Sequence, residues 1–307
     1  MFDYSLVIGL TERWQRDFKG LWIIRDQEAE PDIVIYYAHG ESPQAPLLTI
    51  YALLLIPKLG GGFSMGSSYF YLEFLLAFVS LLHGSGFKNP AILALEYTLV
   101  PNASYPTQIH QALAGYQYVL SIVRDPSKVC VSGDSAGGTI ILSLLLHLAS
   151  IGKAKSNLPV NGDESRIPAM AALISPWVTL VSQLDRNTQS DYLDAPSLHL
   201  YARQYAGSKT SVSDHLISPG NCKDSELWRR ASPSRGLFIT YGREEVFAPE
   251  IRGLIDMFRR SDVDIATQEE AGGIHAWPVA SLFLSSTKEE RQKGLRRIVE
   301  QIRLRLG

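Results

Sequence analysis

Short apolar runs, rich in β-branched and aromatic residues, alternate along this chain with longer stretches in which apolar residues recur at helical spacing. The short runs predict strands at 20–24, 32–38, 91–97, 128–132, 169–175, 236–241 and 264–269. The longer ones predict helices at 68–83, 105–124, 136–151, 195–205, 249–261 and 286–304. Such alternation predicts an α/β fold, a mostly parallel central sheet with helices on both faces. Two polar stretches interrupt it. Residues 152–166, rich in Lys, Asn, Asp and Gly, read as a surface loop. Residues 184–234 mix "DYLDAPSLHLYARQYAG" with Pro- and Ser-rich connections, and read as an excursion from the sheet within a single domain spanning 1–307.

Composition narrows the class further. The chain has 307 residues, 46% hydrophobic and 20% charged, with a net charge of −2. That is enough apolar content for a large core. The charge balance supplies no electrostatic reason to expect nucleic acid or an anionic membrane as partner. The two cysteines, Cys130 and Cys222, are read as reduced thiols. The first residues lack a basic start, an apolar core and a small-residue cleavage site. The apolar windows 47–57 and 70–82 are too short to span a bilayer, and the second carries Glu73. A soluble, cytoplasmic protein is the expectation.

The strongest chemical signal is "KVCVSGDSAGGTIILSLLLHLAS", where an apolar strand runs through Gly133-Asp134-Ser135-Ala136-Gly137 straight into an apolar helix. Gly-x-Ser-x-Gly alone is a weak pattern, with about 0.1 chance matches expected in a chain of this composition and length. Its context is what gives it meaning. A turn this tight strains the serine backbone, and glycine on either side lets strand and helix pass closely. The helix N-terminus then favours negative charge developing at the hydroxyl.

A serine nucleophile needs a base, and the base needs an orienting acid, following the serine in the chain as acid and then histidine. Of His199, His215 and His275, only His275 lies in a glycine-containing loop after a predicted strand, in "EEAGGIHAWP". The acid should end the preceding strand, where "GLFITYGREEVFAPE" offers Glu244 and Glu245.

Together "GDSAGG", "LEYTLVPNASYPTQ", "LISPW", "ITYGREE" and "GIHAW" resemble the hormone-sensitive-lipase-like branch of the α/β-hydrolase fold, and within it fungal-type esterases and steryl acetyl hydrolase-like proteins. The resemblance runs from Asp32 to the C-terminus. It implies hydrolysis of a small-molecule carboxylic ester without metal or organic cofactor. The family spacing Gly-x-x-acid falls on Gly242-Arg243-Glu244-Glu245 and selects Glu245. It implies a triad of Ser135, His275 and Glu245, an oxyanion donor at Ala136, and further donors in a His-Gly-Gly-Gly loop. It also implies a helical cap built partly from 184–205. Family caps draw on an N-terminal segment as well, and with little before Gly20 the cap is expected to be incomplete.

That glycine loop is split. His39-Gly40 is separated from Gly61-Gly62-Phe63 by residues 41–60, and removing those twenty residues leaves "DIVIYYAHGGGFSMGSS". One reading is translated intron. Gly40-Glu41-Ser42 admits codons containing a donor-like GTGAGT, and Leu59-Gly60 admits an acceptor-like TAG in the matching phase. The other reading is a lineage-specific loop. Either way the expectation is an impaired oxyanion hole at Gly61, Gly62 and Ala136. Phe63, Met65, Trp177, Tyr201, Tyr205, Phe247 and Trp277 flank the motifs and are candidates for an apolar substrate pocket. A non-catalytic small-molecule-binding protein on the same fold and an amide or formamide hydrolase are the alternatives.

Overall fold

The computed structural model describes residues 9–14, 17–40, 67–155 and 167–307. The inserted stretch 41–60 lies outside the described residues, as do Gly61, Gly62, Phe63 and Met65. Eight strands form one sheet: β1 (Gly9–Trp14), β2 (Lys19–Ile24), β3 (Ile33–Ala38), β4 (Pro90–Glu96), β5 (Val129–Asp134), β6 (Met170–Ile174), β7 (Leu237–Gly242) and β8 (Ile265–Glu270). Their spatial order is β1-β2-β4-β3-β5-β6-β7-β8. β2 pairs antiparallel with β1 and with β4, and every pairing from β4 to β8 is parallel.

Eight α-helices are described: α1 (Leu72–Gly84), α2 (Thr107–Val123), α3 (Ser135–Lys155), α4 (Ala195–Ala206), α5 (Ser225–Ala231), α6 (Ala248–Arg260), α7 (Trp277–Leu284) and α8 (Lys288–Leu306). The central strands are buried on both faces. β3, "IVIYYA", shows no exposed position, the near-continuous apolar run expected of a parallel strand covered by two helical layers. Side chains of period two divide the core. Val34, Tyr36, Val129, Val131 and Leu173 face α2, α3 and α6. Ile33, Ile35, Tyr37, Cys130 and Ala172 face α1, α7 and α8.

All seven predicted strands are present within a residue or two of their expected bounds. Three elements differ from the sequence reading. β1, "GLTERW", is an antiparallel edge strand whose Glu12 faces solvent, so it lacks the apolar run that marks the buried strands. α7, "WPVASLFL", is apolar nearly throughout and has no helical period to betray it. α5 is a seven-residue helix inside the 184–234 stretch, and it packs on the core through Trp228, whose ring meets Phe258 of α6 edge-on at 4.8 Å.

The chain runs outward from β3 in both directions, to β4 on one side and to β5 on the other. The crevice at the C-terminal ends of β3 and β5 is therefore the topological switch point, where open α/β sheets place their sites. His39-Gly40 follows β3 there, and Ser135 follows β5.

Candidate active site

Ser135 sits at the junction of β5 and α3 with φ of +52°. The left-handed region is costly for a residue with a side chain, and the surrounding close approaches hold it there. A Cβ on Gly137 would lie 2.0 Å from the Ala38 carbonyl oxygen, and one on Gly133 would lie 2.8 Å from it. Strand β3, strand β5 and helix α3 thus meet without room for a methyl group. Ser135 and Ala136 open α3, within the first turn, whose N–H groups a helix leaves without intrahelical acceptors.

The stem of the split glycine loop reaches this corner. A Cβ on Gly40 would lie 2.8 Å from the Ser135 Cβ. Gly40 N–H donates to Asp134 Oδ1 at 2.8 Å. The same carboxylate accepts from Tyr37 OH at 2.7 Å and from Tyr71 OH at 2.6 Å. Burial pushes the Asp134 carboxyl up, and these three donors oppose that without cancelling it. His39 stacks on Tyr97 with ring centroids 4.7 Å apart, and its carbonyl accepts from Tyr97 OH at 2.9 Å.

Glu245 follows β7 and His275 follows β8, so both hang over the same C-terminal edge as Ser135. Glu245 Oε1 lies 3.9 Å from His275 Nδ1, both side chains being almost wholly buried. That is beyond hydrogen-bonding reach, and neither atom has another partner among the described residues. Each is therefore the available partner of the other, a small movement from a hydrogen bond. The other oxygen of Glu245 accepts from Ser175 Oγ at 2.6 Å and from Gly242 N–H at 2.9 Å. Burial raises the Glu245 carboxyl, against the opposing pull of His275, Ser175 and Gly242. Burial alone would lower His275; Glu245 first, then the charges of Asp191 and Asp134, outweigh it and leave the imidazole raised. Glu244, the other sequence candidate, points its carbonyl at Thr188 Oγ1, which donates to it at 2.8 Å.

Three residues without an assigned role in the sequence converge on this pair. Ser175, in the left-handed region with φ of +44°, donates to Glu245 and accepts from Ala276 N–H at 3.0 Å. Asp191, from the 184–234 stretch, accepts from Val246 N–H at 2.8 Å and from His275 N–H at 3.1 Å. Tyr192 sets its ring edge-on to the imidazole at 5.9 Å. Only the position of Ser175 within "LISPW" marked it in the sequence. Asp191-Tyr192 lies in a stretch with no period to read.

The proposed pocket aromatics separate in space. Trp177 and Phe247 are fully buried and stacked at 5.5 Å, and Phe247 meets His275 edge-on at 5.1 Å. Trp177 N–H donates to the Ser135 carbonyl at 3.0 Å, so this stack links the serine turn to the imidazole. Tyr205 is buried on α4 against Tyr105, with Tyr201 partly buried one turn earlier. Trp277 opens α7, with the Lys293 ammonium 5.9 Å over its ring. No cluster of metal-ligating side chains is found among the described residues. Nor, among them, is any helix long and apolar enough to cross a membrane.

With this geometry in hand, comparison with known proteins gives a consistent picture. The putative steryl acetyl hydrolase mug81 of Schizosaccharomyces pombe is 29% identical over 174 residues, 53% of this chain and 43% of that protein. An acetyl-hydrolase of Streptomyces hygroscopicus is 27% identical over 191 residues, 61% of this chain and 57% of its own. The chain thus spans about half the length of the curated relatives it matches. In fold it is similar to an esterase from the bacterial hormone-sensitive lipase family, with a TM-score of 0.73 at 22% identity over 99% of this chain and 86% of the other. The EstE7 homologue of hormone-sensitive lipase from a metagenome library gives 0.70 at 19% identity, over 99% of this chain and 88% of its own. The family model for steryl acetyl hydrolase matches residues 31–299, from just before β3 into α8, and the chain therefore belongs to the steryl acetyl hydrolase family, on the hormone-sensitive-lipase-like α/β-hydrolase fold.

Proposed function

We propose that this chain is a serine hydrolase of carboxylic esters with short-to-medium acyl groups, acetyl esters foremost, acting through Ser135, His275 and Glu245. The observation that carries the reading is the buried Glu245–His275 pair, its facing atoms without another partner among the described residues, on the sheet edge that also bears the strained Ser135 turn. In the first step Ser135 Oγ attacks the ester carbonyl as His275 takes its proton, and the imidazolium then protonates the departing alcohol. Glu245 holds the imidazole by Nδ1 and stabilises its cationic form. In the second step water, deprotonated by the same histidine, releases the acid and frees the serine. The tetrahedral oxyanion is met by Ala136 N–H at the start of α3, where the helix dipole also favours negative charge. Gly61 and Gly62 are the proposed further donors. Losing one such donor costs roughly 10²–10³ in turnover, so the twenty-residue interruption at 41–60 is the proposed cause of weak activity.

The relatives' names, steryl acetyl hydrolase and acetyl-hydrolase, support an acetyl ester as the substrate class. Covalent labelling by a fluorophosphonate tests the nucleophile, with Ser135→Ala as control. Labelling at Ser135, with slow hydrolysis of p-nitrophenyl acetate that rises when 41–60 is deleted, is the expected result. A chain unlabelled both with and without 41–60 would be a binding protein instead. Equal turnover by the two forms would reject the impairment.

A further inference from the structure

The acid and the base of this site stand on different loops, one after β7 and one after β8, and something must keep the two loops in register. Ser175 does part of this from below, after β6. The second tie comes from the 184–234 stretch, a part of the chain outside the sheet. Asp191 places one carboxylate oxygen on Val246 N–H, directly after the acid, and the other on the N–H of His275 itself. The carboxylate is buried, at 3% exposure, so these bonds do not compete with water.

We propose that Asp191 is a positioning residue for the base, setting the distance and angle between His275 and Glu245 by joining their two loops through its two oxygens. This rests on the serine-hydrolase reading for its consequence in catalysis, though not for its effect on His275. Two neighbours reinforce the tie. Thr188 Oγ1 donates to the Glu244 carbonyl and accepts from Asp191 N–H, so the turn carrying Asp191 is itself fastened to the acid loop. Tyr192 OH reaches the His275 carbonyl at 3.4 Å.

The chemistry requires a carboxylate at this position. Its three partners, Val246, His275 and the adjacent Tyr192, are all backbone N–H donors, and an amide in its place would turn its own NH₂ toward at least one of them. One tie would be lost and a donor would face a donor. The charge acts as well. His275 is faced by Glu245 from the β7 loop, by Asp134 from the serine turn, by Asp191 and by the phenol of Tyr192. Asp191 is thus one of three carboxylates that favour the imidazolium formed when Ser135 gives up its proton.

The test is Asp191→Asn in the full chain, with two readouts. The ring resonances of His275, assigned by their loss in His275→Gln, give its titration midpoint by NMR. The rate of fluorophosphonate labelling reports activation of Ser135. The expected result is a downward shift of the His275 midpoint and labelling slowed about ten- to a hundredfold, the scale on which a displaced group costs rate. With p-nitrophenyl acetate the loss should fall on kcat and leave KM within about twofold. A midpoint and a labelling rate both equal to the parent's overturn the proposal. If Asp191→Asn does not fold, Asp191→Glu decides: it keeps the charge, so the midpoint stays up while the longer side chain slows labelling, and parental labelling overturns the proposal. A chain that labels at Ser135 neither with nor without 41–60 rejects the hydrolase reading, and the His275 midpoint still decides the role of Asp191.

Discussion

The two halves of the candidate site are built in opposite ways. The nucleophile corner is local: five consecutive residues, 133–137, carry strand, turn and helix start, and close approach to Ala38 does the rest. The acid–base corner is assembled from four separate stretches, ending at Ser175, Asp191, Glu245 and His275, and joined by polar contacts. Steric exclusion holds the first corner and hydrogen bonds hold the second. Damage to one should therefore be abrupt, and damage to the other graded.

The sharpest break is Gly137→Ala. Its new methyl would meet the Ala38 carbonyl at 2.0 Å, backbone against backbone with no flexible side chain to yield. Such overpacking costs about 1–3 kcal/mol at ordinary core sites and more where the backbone must move. The expected outcome is loss of most folded protein in urea unfolding, and a midpoint close to the parent's would show the corner to be softer than its geometry implies.

Ser175→Ala probes the other corner. It removes the hydroxyl between Glu245 and Ala276 N–H, while Gly242 still donates to the same carboxylate oxygen. Stability should fall by roughly 1–3 kcal/mol for a buried donor left unsatisfied. Ester turnover should fall by tens-fold, measured on the same preparation. Loss of all activity at unchanged stability would mean that Ser175 touches the reacting atoms.

A subtler difference lies in pH. In the proposed mechanism the base must be neutral to accept the Ser135 proton, and His275 is raised by its carboxylate neighbours. The protonated form thus persists to higher pH, and the acid limb of kcat/KM should have its midpoint above the ordinary histidine value of about 6.5. Its stabilising contribution is fully present below the unfolded value and fades as pH rises through the folded one. A limb at or below the ordinary value would show that burial, not the carboxylates, governs the imidazole.

The smallest effect belongs to a region outside both corners. Glu269 is held down at about 2, with Arg252 the largest cause, opposed by burial and helped by Tyr241 and Arg243. These groups are partly exposed, so Arg252→Ala should cost under about 1 kcal/mol. Whatever it costs should be visible above the unfolded carboxylate value of about 4.3 and vanish as pH falls toward about 2. Activity should stay at the parent's level in a p-nitrophenyl acetate assay.

This contrast also explains what could be read from residues alone. The six inner strands announced themselves as apolar runs, whereas β8, "IATQEE", is a partly buried edge strand marked by its place in the strand–helix alternation. Ser135 was legible because its constraint is written within five neighbours. His275 was marked by its loop after a strand, and strand ends left Glu244 and Glu245 open until the resemblance to the family spacing selected Glu245. The role of Asp191 was not legible, because it acts through backbone N–H groups far away in the chain, and a backbone donor has no letter. Ser175 was marked only by its place in "LISPW", its partners Glu245 and Ala276 N–H lying 70 and 101 residues on. The edge strand β1 escaped for a related reason: with one flank unpaired it carries the polar residues of a surface. α7 escaped because eight nearly continuous apolar residues show no helical face to detect.

Asp134 has a consequence of another kind. Its carboxylate takes one bond from Gly40 and another from Tyr71, residues on either flank of 41–66, with Tyr37 as the third donor. Chain of any length leaving at 40 and returning by 71 has both ends tied to a single side chain, next to Ser135. For descent, this makes the position a port: segments can be gained or shed there without a matching change elsewhere in the fold. For a protein engineer it is a ready grafting point, where a foreign loop inherits its anchorage and its address at the site.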